Sequence, residues 1–199
     1  EVLHQDLQRL CDIGLDGFIS CQNQRVFFPT GLGMTVMGRT LWNKEATFEE
    51  IAEDYFESAF GEGAAEARAY LASVSELINP RLIRDEASDA ERVAAPFKLT
   101  KVRDLVSELK PAVERGLTDS NPARAASWRY LELHGEFVCL FADAMSAKLT
   151  GAEDAVTRAW TMFNWAREHE MDLQPLLDVF EFQLTLAPFF GIPRSELVG

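Results

Sequence analysis

The chain has 199 residues, of which 47% are hydrophobic, and its formal net charge is −13. This length suits one large domain or two small ones with an ample core, and the acidic excess argues against nucleic acid or an anionic membrane as the main partner, because both require clustered lysine and arginine. There is neither an apolar run of about 18 residues, as a transmembrane helix requires, nor a signal-peptide pattern, so we expect a cytoplasmic protein with no membrane partner.

The chain begins with a predicted helix that ends at Gly14. Its apolar side chains recur with helical spacing at Leu3, Leu7, Leu10 and Cys11. Residues 17–22 follow as the best strand candidate of the sequence, because turn-forming residues bound a short apolar run. A lone strand cannot satisfy its own backbone groups, so we expect residues 17–22 to pair with a preceding barrel segment or with a partner chain.

The next predicted helix, "GLGMTVMGRTLWN", carries Gly33 and Gly38. An interior glycine costs roughly 1 kcal/mol relative to alanine. We expect the two glycines to offset that loss by letting neighbouring backbones approach closely. The order helix, strand, glycine-bearing helix indicates the last β/α step of a (β/α)8-type barrel.

From residue 46 onward the sequence predicts helices. The first opens with a capping box formed by Thr47 and Glu50. A second covers residues 63–78, and the polar residues 84–91 are predicted to be a mobile linker. Four long helices are predicted over residues 99–116, 121–149, 152–170 and 173–190, the second of them capped by Asn121 with Pro122 in its first turn. The predicted fold is therefore mainly α, with the end of a barrel-like domain at residues 1–45 and a C-terminal helical bundle at residues 46–199.

Two segments, "GMTVMGRTLWN" and "ATFEEIAEDYFESAFG", resemble the end of the barrel in family-67 α-glucuronidases and in a related bacterial group, domain-of-unknown-function family 4838. The Leu41–Trp42 pair and the Phe60–Gly61 pair carry this resemblance, and "LQPLLDVFEF" is similar to the closing helix of that group. The resemblance implies a carbohydrate-active parent protein with a (β/α)8 barrel. It places no catalytic residue here, because the family's carboxylates come from earlier strands that have no matching positions in this chain.

The loop after the candidate strand is the predicted substrate rim, because barrel active sites lie at the C-terminal ends of strands. Asn23, Gln24 and Arg25 offer amides and a guanidinium to sugar hydroxyls or a carboxylate, and Phe28 offers an aromatic face to a pyranose. The alternative is a polar turn whose phenylalanines plug the end of the barrel. With either role for these residues, a carbohydrate ligand is expected because of the family resemblance.

No metal site or cofactor is predicted, because His4, His134 and His169 lack ligand spacing and the three cysteines form no CxxC pair. We expect the cysteines to be buried small hydrophobes and His134 to be a hydrogen-bonded core residue.

The sequence leaves two functions open. The chain is the helical C-terminal portion of a glycoside-hydrolase-like protein, inactive by itself and packed on a catalytic barrel, or it is a self-contained helical module that binds a protein or a small ligand without enzymatic activity.

Overall fold

The structure, a computed structural model, describes residues 1–15, 19, 25 and 27–197. These residues are mainly helical, as predicted. The helices are α1 (Val2–Gln8), α2 (Leu32–Trp42), α3 (Phe48–Phe60), α4 (Ala64–Leu77), α5 (Asp89–Leu99), α6 (Val102–Gly116), α7 (Pro122–Thr150), α8 (Ala155–Glu168), α9 (Glu170–Leu173) and α10 (Val179–Phe190). A short 3-10 helix, Leu10–Ile13, follows α1 and ends at Gly14 in the left-handed conformation.

The long helix α7 is the centre of the bundle and contacts α3, α5, α6 and α8. Both apolar stripes of this helix carry buried residues, which is why it has neighbours on several sides. The buried residues of the first stripe are Trp128, Leu131, Val138, Phe141 and Met145, and the second contributes Leu133 and Ala144. The helical bundle predicted after residue 46 thus has its core along α7.

Side-chain caps fix the starts of several helices. The Thr47 hydroxyl accepts from the backbone N–H of Glu50 at 3.2 Å, and the Glu50 carboxylate accepts from the backbone N–H of Thr47 at 2.8 Å. Asn121 caps α7 by accepting from the backbone N–H of Ala123 at 2.9 Å, directly before Pro122. Both caps are where the sequence predicted them.

Two predicted boundaries in the bundle are wrong. Residues 84–88 do lie between α4 and α5, but residues 89–91 belong to α5, which begins at Asp89 behind a capping box formed by Ser88 and Glu91. The predicted final helix 173–190 begins too early, since an interruption separates α9, which ends at Leu173, from α10, which begins only at Val179. The interruption contains Pro175, which lacks a backbone N–H for the helical ladder, and Asp178, whose side chain starts α10.

Helices α1 and α2 pack on each other and reach the bundle through α3. Polar contacts hold this arrangement together. His4 Nε2 lies 2.8 Å from the Ala46 carbonyl oxygen, and the Tyr55 hydroxyl accepts from the backbone N–H of Gly31 at 2.9 Å. Arg39 pairs with Asp54 at 2.8 Å on the surface.

The expected close approach at Gly33 and Gly38 is wrong for the part of the chain that the structure describes. A Cβ atom built at either position meets no atom within 4 Å, so α2 turns both glycines toward open space. The close approach occurs in the bundle instead. Gly63 and Gly116 lie against the indole of Trp128, and a Cβ atom at either would overlap the ring.

The candidate strand at residues 17–22 lies, except for Ile19, outside the described residues, so the barrel step stays a prediction. Ile19 is exposed. Cys11 is also exposed and Cys139 is partly buried, which corrects the expectation of buried thiols at these two positions. Over the described ranges, none of the helices combines the length and the apolar character that crossing a bilayer requires.

Candidate functional site

A cleft of about 780 Å³ lies between α7 and α10. The central helix contributes His134, Phe137 and Phe141 to its wall. The opposite wall comes from α10 and the residues before it, with Asp178, Glu181, Phe182 and Thr185. Arg25 and Phe28, from the segment before α2, and Ile78, at the end of α4, also line it, so the cleft is assembled from distant parts of the sequence.

Backbone hydrogen bonds attach the segment at Arg25 to the interruption before α10. The N–H of Phe27 donates to the Leu176 carbonyl at 2.8 Å, and the N–H of Asp178 donates to the Arg25 carbonyl at 3.0 Å. The guanidinium of Arg25 also pairs with the Asp178 carboxylate. Arg25 adopts a positive φ of 55°, which is uncommon for a residue with a side chain. Several contacts therefore determine the position of Arg25 at the rim.

The carboxylate of Asp178 accepts hydrogen bonds from two neighbours. One carboxylate oxygen accepts from the backbone N–H of Glu181 at 3.1 Å and caps α10. The other accepts from Arg25. The Glu181 N–H and the charge of Arg25 lower the pKa of Asp178, although partial burial opposes them. The carboxylate is consequently charged at neutral pH and neutralises the guanidinium beside it.

Aromatic rings dominate the inner wall of the cleft. The Phe28 ring meets the His134 ring edge-to-face at a centroid distance of 5.7 Å and the Phe137 ring at 6.1 Å. Phe137 in turn lies 5.3 Å from Phe182. Such edge-to-face pairs stabilise ring orientation beyond simple area burial. The wall therefore has a defined shape suited to a flat or apolar molecule.

A buried polar pair lies behind this wall. The hydroxyl of Tyr70, on α4, is 2.9 Å from Nδ1 of His134. Burial lowers the pKa of His134 to about 4 and raises the pKa of Tyr70 above its ordinary value. Both side chains are therefore neutral at pH 7. His134 is the hydrogen-bonded core histidine that the sequence predicted, and it also lines the cleft.

Two of the four predicted substrate-binding residues, Arg25 and Phe28, meet at the cleft. The other two, Asn23 and Gln24, lie outside the described residues. The half-buried ring of Phe28 packs on α7 and also faces the cleft, and its predicted roles in stacking on a sugar or plugging a barrel stay predictions.

Sequence reasoning missed the opposite wall. Asp178 and Glu181 repeat the spacing of an N-cap and its third helical residue, three positions apart, so the start of α10 was detectable. Nothing in the sequence pairs Arg25 with Asp178, which is 153 positions away. In the described part of the chain, no group of three or more His, Cys, Asp or Glu side chains is arranged to hold a metal ion.

Comparison with known protein families, with curated proteins and with solved structures gives no match to this chain.

Proposed function

We propose that this chain binds a small, largely apolar ligand in the cleft between α7 and α10. The observation that carries the proposal is an open cleft of about 780 Å³ beside the core helix, walled by phenylalanine rings. Ligand sites measure roughly 300–1,000 Å³ with mostly apolar walls and a few polar groups. The size and lining of this cleft fit that description.

Binding is favoured over catalysis by the state of the polar groups at the cleft. Arg25 is paired with Asp178, and Tyr70 is paired with His134. Groups held in this way orient a ligand, whereas an acid–base reaction on a sugar needs two carboxyl groups placed on either side of the scissile bond. Asp178 is already occupied by the cap of α10 and by Arg25.

Nile red, a neutral planar dye whose emission rises in apolar surroundings, tests the proposal. We expect saturable binding by the unmodified chain. Thr185→Trp, an exposed position at the cleft on α10, should weaken the binding about tenfold, which corresponds to about 1.4 kcal/mol. Thr161→Trp on α8 is the matched control, because both threonines are exposed and both hydroxyls donate to the carbonyl four residues earlier. Equal binding by the two variants would place the dye elsewhere and contradict the proposal.

A second function is favoured by a different observation, and we propose it as the alternative: the chain is the C-terminal helical portion of a carbohydrate-active, glycoside-hydrolase-like protein. Apolar side chains that lack cover are concentrated near the N-terminal helices of the described structure. They are Val2, Leu3, Ile13, Leu15, Met34, Leu41 and Trp42. Packing against a barrel would cover such residues, and the rim residues Asn23, Gln24, Arg25 and Phe28 would then face its substrate.

The gene sequence upstream of the codon for Glu1 tests this alternative, since it should encode the earlier strands of a barrel. The isolated chain should not hydrolyse an aryl glycoside or an aldouronic acid. Turnover by the purified 199-residue chain that a single carboxylate substitution abolishes would contradict this expectation. An upstream sequence without alternating strands and helices would remove the barrel from the proposal.

A further inference from the structure

The neutral pair of Tyr70 and His134 determines which imidazole nitrogen carries the proton. Both side chains are buried, with 2% and 7% of their surface exposed. Within the described ranges, His134 Nδ1 is the only hydrogen-bond partner of the Tyr70 hydroxyl. A buried O–H group requires an acceptor, so Tyr70 donates to Nδ1. A neutral imidazole has one donor and one acceptor, and Nε2 therefore carries the hydrogen.

The Nε2–H group of His134 is available to the cleft. Among the residues whose positions are described, it has no hydrogen-bond partner, and Thr40 Oγ1 is the only fully buried side-chain nitrogen or oxygen without one. His134 keeps 7% of its surface exposed and lines the cleft, so Nε2–H is the ring group that can reach the ligand space. An imidazole that is more than nine-tenths buried thus presents a single donor to the ligand space.

The charges at the rim select against an anion. The guanidinium of Arg25 is paired with Asp178, and Glu181 adds a second carboxylate. Together they carry one positive and two negative charges, on a chain whose net charge is −13. A carboxylate or phosphate would have to overcome this repulsion. The same charges would attract an ammonium group to the rim, but such a group is only a donor and cannot accept the Nε2–H inside the cleft.

We infer that the ligand is a neutral, planar, mostly apolar molecule with one hydrogen-bond acceptor, such as a ring-attached carbonyl, that receives the Nε2–H of His134. This inference rests on the proposed binding function and specifies the ligand class of the same cleft. The rings of Phe28, Phe137 and Phe182 contact the flat apolar body. Tyr70 is a positioning residue, because it acts on the ligand only by fixing the tautomer of His134.

Four naphthalenes of similar size test the ligand class by isothermal titration. They are 2-acetylnaphthalene with an acceptor, 2-isopropylnaphthalene without one, 2-naphthoate as the anion and 2-naphthylmethylammonium as the cation. We expect the acetyl compound to bind about fivefold more tightly than the isopropyl compound, the usual scale of one net hydrogen bond. Both charged compounds should bind more weakly than the acetyl compound.

The double variant Tyr70→Phe/His134→Phe removes both polar partners while keeping two rings, an exchange that is often nearly neutral for stability. Its preference for the acetyl over the isopropyl compound should fall to about one. His4→Phe is the matched control, because His4 is also buried and hydrogen-bonded but lies outside the cleft. It should leave the preference unchanged.

Nitrogen-15 NMR of the imidazole groups gives a reading on the unmodified chain, so the test does not depend on folding of the variants. The Nε2–H tautomer of His134 is expected, and the Nδ1–H tautomer would overturn the inference. Equal binding of both neutral compounds, or tighter binding of either charged one, would overturn it as well and leave the proposed function standing. Failure of all four compounds and of Nile red to bind would overturn the proposed function itself.

Discussion

The glycines of α2 and those of the bundle have opposite surroundings. Among the described residues, no atom lies within 4 Å of a Cβ built at Gly33 or Gly38, whereas Gly63 and Gly116 enclose the buried indole of Trp128. The same residue type therefore marks an uncovered helix near the N-terminus and a tight contact in the core. Within a helix, glycine indicates close packing only where a large neighbour occupies the space beside it.

The two regions also differ in how much of their large apolar side chains is buried. Trp42 at the end of α2 is 93% exposed, whereas Trp128 at the start of α7 is 1% exposed. The bundle buries most of its large apolar side chains, although Phe97 and Met171 are exposed. The N-terminal helices leave part of theirs uncovered, so the bundle supplies most of the stability. Substitutions in the two regions should then have effects of different size and sign.

The largest effect is expected for Gly116→Ala. The new methyl group would overlap Cγ and Cδ1 of the buried Trp128 ring, so the ring or α6 would have to shift. We expect a loss of about 3 kcal/mol in the free energy of unfolding, at the upper end for overpacking. Denaturant unfolding measures it. A loss below about 0.5 kcal/mol, the scale of a neutral surface change, would show that the indole is not held between the two glycines.

The pH dependence of stability provides the next largest effect, and it tests the centre of the bundle. The folded pKa of His134 is about 4, well below its usual value of 6.5, so the unfolded state binds the extra proton between these values. Stability is therefore fully present above about pH 6.5 and falls as the pH decreases toward 4, by about 3 kcal/mol from this residue. Urea unfolding from pH 7 to pH 4.5 should show a shallower decline for Tyr70→Phe/His134→Phe. Identical slopes would contradict the burial of a neutral His134.

Thr47→Ala tests the start of the bundle and should have a smaller effect. It removes the acceptor for the Glu50 N–H at the first turn of α3. We expect a loss of about 1 kcal/mol, the usual value for an N-cap. Thr47→Ser, which keeps the hydroxyl, is the control and should retain most of the stability. Should both variants unfold at the wild-type denaturant concentration, the cap would not contribute.

Gly38→Ala is the counterpart of Gly116→Ala and carries the smallest expected effect, with the opposite sign. The position is exposed within α2, so alanine should stabilise the chain by about 0.5–1 kcal/mol through helix propensity and a restricted unfolded state. The melting temperature measures the sign. A decrease would mean that a neighbour beyond the described residues packs on Gly38, and the contrast between the two regions would disappear.

Local signals in the sequence account for much of the fold. Capping residues located the starts of α3 and α7, and apolar periodicity located the buried side of α7. The same reasoning could have found α5, since Ser88 and Glu91 have the spacing of Thr47 and Glu50. It could also have found the interruption before α10, where Pro175 precedes the capping Asp178.

The cleft could not be predicted in the same way. Arg25 and Phe28 were selected as site residues for their chemistry, but their partners lie far along the chain. Asp178 forms an ion pair and a backbone hydrogen bond with Arg25, Leu176 accepts from the N–H of Phe27, and the Phe28 ring packs on His134 and Phe137. Periodicity and capping describe single elements, so they carry no signal for a cavity between elements.

The contrast between Trp42 and Trp128 has a spectroscopic consequence. An indole in water emits at longer wavelength than one enclosed by protein, and acrylamide quenches it far more readily. Trp42 should therefore dominate the quenchable, red-shifted part of the intrinsic fluorescence. The emission of Trp128 should not be quenched by acrylamide until the bundle unfolds. Loss of the red-shifted component on adding a candidate partner would report, without any label, that α2 has been covered.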